Sequence, residues 1–244
     1  MEFIGIIPAR YASTRFPGKP LVQINGKSMI ERVYIQCKKT LEHIYVATDD
    51  ERIVNEVKRF GGNFVITLEN HQSGTDRLSE AIKIIQKETD QYFDVVINIQ
   101  GDEPFIQPEQ IEEIKSCFKD QETEIATLVK RIENHKDIFD ANKPKVVFDK
   151  NMQAICFSRS PIPFLRGVAE KEWHKKHPYY RHIGMYAYKT ETLLKLTRLE
   201  QTPLELAESL EQLRWIENGY KIKVAETRFD SFGIDTPEDL ERIT

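Results

Sequence analysis

Phe3-Ile-Gly-Ile-Ile-Pro-Ala-Arg-Tyr-Ala-Ser-Thr-Arg-Phe-Pro-Gly-Lys-Pro-Leu21 stands at the head of the chain, and its reading decides the fold. The near-continuous apolar run Phe3–Ile7 reads as a strand buried on both faces, as central strands of parallel sheets are. Pro8 has no N–H to give to a ladder, so the strand ends there. The loop that follows is built of small residues and carries three cations, Arg10, Arg15 and Lys19. Crevices form outside the carboxyl ends of parallel strands, so a cationic loop in that place is suited to phosphate. It is not a P-loop, because Pro20 stands where that motif needs Ser or Thr after its Lys.

Outward from this stretch, strand and helix patterns alternate. Ser28–Lys39 has apolar residues at helical spacing with Ser28 as its cap, and His43–Thr48 reads as a strand. Glu51–Phe60 reads as a helix stopped by Gly61-Gly62, and Asn63–Thr67 as a third strand. A helix entered through Ser73 and Asp76 runs through Ile85, Phe93–Ile99 is the strongest strand, and Pro108–Phe118 opens a helix on proline. This alternation means βαβ units and a mostly parallel sheet with helices on its faces: an α/β fold. From Glu124 the pattern changes. Ile125–Val129, Lys145–Phe148, Gln153–Ser158 and His182–Lys189 are strand-like with few helices between them. They point to a smaller mixed or antiparallel lobe over 124–190 within one domain spanning 1–244. Arg166–Pro178, polar and charged, reads as a long mobile loop suited to a lid. Glu191–Leu199 and Pro203–Asn218 read as helices, Lys221–Glu226 as a strand, Phe232–Ile234 as strand-like and Pro237–Ile243 as a last helix.

The 244 residues are 40% hydrophobic and 30% charged, enough for a sizeable core. A formal charge of -4 disfavours a nucleic-acid or anionic-membrane surface and suits a small anionic ligand held by a local cationic loop. Three dispersed cysteines, with no CxxC spacing, read as reduced thiols. There is no signal-peptide pattern and no apolar run of membrane-spanning length. A cytoplasmic protein is the expectation.

Three further stretches carry candidate chemistry. His71-Gln-Ser-Gly-Thr-Asp-Arg77 reads as a capped helix start, whose N–H groups and dipole also suit an anionic ligand. Gln100-Gly-Asp-Glu-Pro104 ends the strongest strand, where the Asp102 carboxylate could hold Mg²⁺ against phosphates. Asp235-Thr-Pro-Glu-Asp239 is a helix cap that leaves the Asp235 side chain outside it. Asp102 with Asp235 could make a two-carboxylate Mg²⁺ site.

Taken in order, Ile7–Leu21, His71–Arg77, Asn98–Pro104 and Gly233–Leu240, with Phe157-Ser158-Arg159, Arg181–Gly184 and Leu210–Arg214, resemble the 3-deoxy-manno-octulosonate (Kdo) cytidylyltransferases, or CMP-Kdo synthetases, essentially end to end. The resemblance implies a Rossmann-like nucleotidyltransferase fold, a homodimer and Mg²⁺. It implies the reaction of CTP with Kdo to give CMP-Kdo and diphosphate for lipopolysaccharide. Position by position, it implies that Lys19, Asp102 and Asp235 are catalytic and that Asp102 and Asp235 hold the metal. Pro8, Ala9, Arg10, Ser13, Arg15, Lys19, Ser73, Gly74 and Arg77 would bind nucleotide. Gln100, Arg159, His182, Tyr186 and Glu211 would bind the sugar acid, with Arg159 and His182 meeting its carboxylate. Phe164–Tyr179 departs most from the family, and Phe16 stands where Leu is frequent. The alternatives are a cytidylyltransferase for another sugar acid, such as sialate or amino-substituted Kdo, and a nucleotide-binding module without turnover.

Overall fold

Strand β1, Phe3–Pro8, is the centre of the first of two units in the computed structural model, which describes residues 1–12, 16–71, 73–230 and 232–241. Ile4, Ile6 and Ile7 of β1 are wholly buried, so both faces of the strand are covered, and each isoleucine contributes roughly 2 kcal/mol by that burial. β2 (Gln23–Ile24) and β3 (Lys27–Ser28) form a hairpin not anticipated from the sequence. Its turn residues, Asn25 and Gly26, have φ of 49° and 78°, the Asn-Gly chemistry that a two-residue hairpin turn favours. α1 (Met29–Cys37) begins where the Ser28 hydroxyl accepts the Glu31 N–H, a cap that contributes about 1 kcal/mol. Then come β4 (His43–Thr48), α2 (Glu51–Arg59), β5 (Phe64–Ile66), α3 (Gly74–Thr89), β6 (Val95–Asn98) and α4 (Pro108–Ser116). β1 pairs in parallel with β4 and β6, and β4 with β5. The order β5-β4-β1-β6 therefore sets four carboxyl ends, and the loops that follow them, along one rim.

The second unit comprises Glu113–Tyr186 and Arg198–Asp230. The chain continues through β7 (Ile125–Arg131), α5 (His135–Phe139), β8 (Lys145–Phe148), β9 (Ala154–Ser158), α6 (Trp173–Lys176) and β10 (Tyr180–Lys189). After α7 (Thr190–Leu196) follow α8 (Pro203–Glu208), α9 (Glu211–Glu217), β11 (Ile222–Glu226) and α10 (Pro237–Glu241). β7 and β11 are parallel, whereas β8 is antiparallel to both β9 and β10, which gives this unit its mixed pairing. α7 and α10 belong to the first unit.

Three expectations are corrected. Residues 166–178 are not a structureless lid: they hold a short turn of helix and α6, and Trp173 is buried with Ile132, Ile138 and Tyr179. The Trp173 and Tyr179 rings stack with centroids 6.0 Å apart, burial that the charged flanks Glu170–Glu172 and Lys175–Lys176 conceal in the sequence. Pro203–Asn218 is two helices, broken where Ser209 takes a left-handed φ of 50°. Phe232–Ile234 forms no strand. Among the described residues, no helix is long and apolar enough to cross a membrane.

Candidate active site

Lys19 stands on the rim of the first unit, directly after Gly18. The Gly18 N–H donates to the Tyr11 carbonyl at 2.9 Å. Gly18 has a φ of 72°, and a Cβ there would lie 3.2 Å from the Tyr11 ring, so both conformation and space call for glycine. The same ring is covered on another side by the Arg52 guanidinium, 3.2 Å from its centroid.

Asp102 arrives from the end of β6 through Gly101. A Cβ on Gly101 would stand 3.0 Å from the Pro8 carbonyl oxygen, so the β6 loop passes directly over the end of β1. Asp235 is brought from the far end of the chain. The Ile234 N–H donates to the Asp102 carbonyl at 2.9 Å, while Ile234 packs with Ile24 and Met29, and Phe16, Phe105 and Leu240 pack against that cluster. The Asp239 carboxylate accepts the N–H groups of Asp235 and Thr236, the cap read from the sequence. Three distant stretches thereby converge. The Lys19 ammonium donates to Asp102 Oδ2 at 2.7 Å and to Asp235 Oδ1 at 3.1 Å.

Two carboxylates aimed at one cation from separate loops form an all-oxygen donor set, which fits a hard divalent ion. Two carboxylates meet there, and among the described residues no group of three or more His, Cys, Asp or Glu gathers anywhere. That suits an ion that keeps waters and takes its remaining ligands from phosphate.

Of the other expected nucleotide residues, Pro8, Ala9, Arg10, Ser73 and Gly74 lie on the same rim. Arg10 donates to the His71 carbonyl, so its guanidinium is anchored beside the α3 entry, and Ala9 donates to the Ala47 carbonyl at 2.9 Å. A Cβ on Gly74 would be 3.8 Å from the Pro8 ring, which puts the first turn of α3 against the end of β1. Ser73 is engaged in a full capping box with Asp76. The Arg77 side chain is wholly buried, paired with Asp49 Oδ1 at 2.8 Å and Thr67 Oγ1 at 2.6 Å. It ties α3 to the ends of β4 and β5. Ser13 and Arg15 fall outside the described residues.

Four of the five residues expected at the sugar acid lie in the second unit, around β9, β10 and α9; Gln100 lies in the first, two residues before Asp102. Arg159 donates through Nε, Nη1 and Nη2 to the carbonyls of Glu208, Ala141 and Ser209. Three of its five N–H groups are thus spent on holding the guanidinium, which leaves two for a ligand. Glu208 adds its carboxylate to the Ser158 hydroxyl and the Arg159 N–H. The ring of His182 lies 5.2 Å from that of Tyr186, which meets Trp215 edge-on at 5.0 Å. Glu211 is one helical turn before Trp215 on the same face of α9.

Burial pushes the pKa of His182 down to about 3, so at neutral pH it is an uncharged imidazole and no cation for a carboxylate. Nothing in the sequence showed that Glu208 would hold Ser158 and Arg159, or that Thr127 would meet His182. Each sits in an ordinary strand or helix pattern, and only the fold gives it that neighbour.

A family profile for cytidylyltransferases matches residues 4–222. A 3-deoxy-manno-octulosonate cytidylyltransferase of Parabacteroides distasonis is 58% identical over 99% of this chain and 96% of its own length. The chain belongs to this family. A member from Bacteroides thetaiotaomicron is 57% identical over 99% of the chain and 96% of its own length. The solved structure of a CMP:2-keto-3-deoxy-manno-octonic acid synthetase complexed with CTP covers 100% of this chain and 97% of its own, with a TM-score of 0.90 at 38% identity. A cytidylyltransferase from Leptospira borgpetersenii, 18% identical with a TM-score of 0.62 over 99% of this chain and 84% of its own, shares the fold. The family's nucleotidyltransferase fold is the mainly parallel α/β arrangement described above.

Proposed function

We propose that the chain is a cytidylyltransferase that joins CTP to 3-deoxy-D-manno-octulosonate, giving CMP-Kdo and diphosphate for lipopolysaccharide synthesis. The observation that carries the reading is the junction of Lys19, Asp102 and Asp235 at the ends of β1 and β6. It supplies what two anionic reactants need. One pair of like unit charges about 4 Å apart costs roughly 4 kcal/mol at an effective dielectric near 20.

Arg10 and Lys19 would carry the triphosphate, with Pro8, Ala9, Ser73 and Gly74 shaping the rim around the nucleotide. Arg159 would take the sugar carboxylate with its two remaining N–H groups. The anomeric hydroxyl gives its proton to water as its oxygen bonds to the α-phosphorus and the bond to the diphosphate breaks, and no protein nucleophile is required. Asp102 and Asp235 would hold Mg²⁺, which when bound supplies positive charge to the phosphates and acidifies the attacking hydroxyl. Positioning and charge neutralisation are then the whole of the protein's task.

Three free thiols, Cys37, Cys117 and Cys156, suit work in the reducing cytoplasm. The exposed Ile155 and Phe164, with a 410 Å³ apolar cavity beside Phe148 and Tyr180, support a homodimer formed through the second unit. Sedimentation equilibrium should then return twice 28.5 kDa, and a concentration-independent mass of 28.5 kDa would exclude it.

The test of function is diphosphate release from CTP with a panel of sugar acids. Release with 3-deoxy-D-manno-octulosonate above sialate and amino-substituted analogues is expected. Faster release with one of those analogues reassigns the substrate, and none with any sugar acid sinks the reading.

A further inference from the structure

Thr127 lies on β7 and is wholly buried, with its hydroxyl oxygen at a three-way contact. It is 2.7 Å from the Met185 carbonyl oxygen, 3.2 Å from the Ile183 carbonyl oxygen and 3.0 Å from His182 Nε2. A hydroxyl has one hydrogen to give and two lone pairs to receive with. Both carbonyls can only accept, so they claim the hydrogen, and what remains for Nε2 is a lone pair. Nε2 must therefore carry the hydrogen and donate it. In a neutral imidazole the other nitrogen, Nδ1, is then a bare acceptor.

We infer that Thr127 is a positioning residue, fixing His182 in the tautomer whose Nδ1 accepts a hydroxyl hydrogen from the sugar acid and turns its carboxylate away. A carboxylate brought to Nδ1 would set lone pairs against a lone pair, whereas a polyol hydroxyl has the hydrogen that Nδ1 lacks. The surroundings agree. Phe157 meets the imidazole edge-on at 5.3 Å and Tyr186 lies 5.2 Å away, so the ring is steadied by aromatic neighbours, and its burial keeps it uncharged. Arg159, held by three carbonyls in the same unit, is the group left to take the carboxylate. Together the two side chains tell one end of the substrate from the other. This rests on the sugar-acid reading of the second unit given above.

The test begins with ¹⁵N NMR of the free protein with labelled histidine. The expected spectrum shows His182 protonated at Nε2 and unprotonated at Nδ1 from pH 5 to 8. A proton on Nδ1, or an imidazolium in that range, overturns the inference whatever the substrate proves to be. The second arm is kinetic. Thr127→Val should raise KM for the sugar acid by roughly tenfold and leave KM for CTP unchanged, while Thr127→Ser restores the wild-type value. A panel of monodeoxy sugar acids should contain one that loses about tenfold against the wild type and nothing further against Thr127→Val. Equal effects on both substrates in Thr127→Val, or no recovery in a folded Thr127→Ser, overturn the positioning role. Failure of every sugar acid to release diphosphate would instead sink the proposed substrate, leaving the tautomer as measured.

Discussion

Asp235→Asn should abolish turnover while the protein stays folded, with kcat lower by about 10³-fold or more. The amide keeps the shape of the carboxylate and removes its charge. A catalytic cation that loses one of two anionic ligands gives up several kcal/mol of transition-state stabilisation, and about 4 kcal/mol is a factor of 10³. The fold has little at stake in that side chain. It is 42% exposed, and its segment is held by backbone groups, the Ile234 N–H on Asp102 and the Asp235 N–H on Asp239. Exposed ion pairs contribute about 0–1 kcal/mol, so the melting temperature should barely move. Steady-state diphosphate release together with a circular-dichroism melt reads both halves of the expectation. An unchanged rate would remove Asp235 from the mechanism.

Lys19→Met should lower kcat/KM for CTP by roughly 100-fold, the size expected from losing charge-assisted hydrogen bonds to phosphate, and leave KM for the sugar acid near its wild-type value. Methionine fills the stem of the lysine and removes only the ammonium, which is the group that meets Asp102 and Asp235. Its loss also leaves two carboxylates facing each other without a cation, so nucleotide binding by the variant should lean more heavily on divalent ion. The check is initial rates over CTP concentration at two ionic strengths. The wild type should lose CTP affinity with salt more steeply than the variant. Unchanged kinetics for CTP would contradict the phosphate role.

Much of the fold was legible because the strands of a parallel sheet are covered on both faces and therefore read as unbroken apolar runs. Phe3–Ile7 and Val95–Ile97 are of this kind, and caps such as Ser28 and Ser73 mark the helices between them. What escaped depends on partners far along the chain. The burial of Trp173 is conferred by Ile132, Ile138 and Tyr179, none of which its charged neighbours announce. Ser209 breaks a helical pattern that its own residue type does not break.

The site divides in the same way. Lys19 and Asp235 are 216 residues apart, and no local period relates them, so their meeting was legible only through the ordered motifs of the family. An arginine after Gly-Thr-Asp gives no sign in the sequence that Arg77 is buried against Asp49 and Thr67. Thr127 gave no sign at all. A threonine inside an apolar strand is ordinary, and its significance comes from the imidazole and carbonyls that β10 sets against it.

The most direct measurement of the central claim is anomalous diffraction from crystals grown with CTP and Mn²⁺. A manganese peak within coordination distance of both Asp102 and Asp235 carboxylates, lost in Asp235→Asn, is the predicted result. A peak touching neither carboxylate, or one unchanged in the variant, would contradict it.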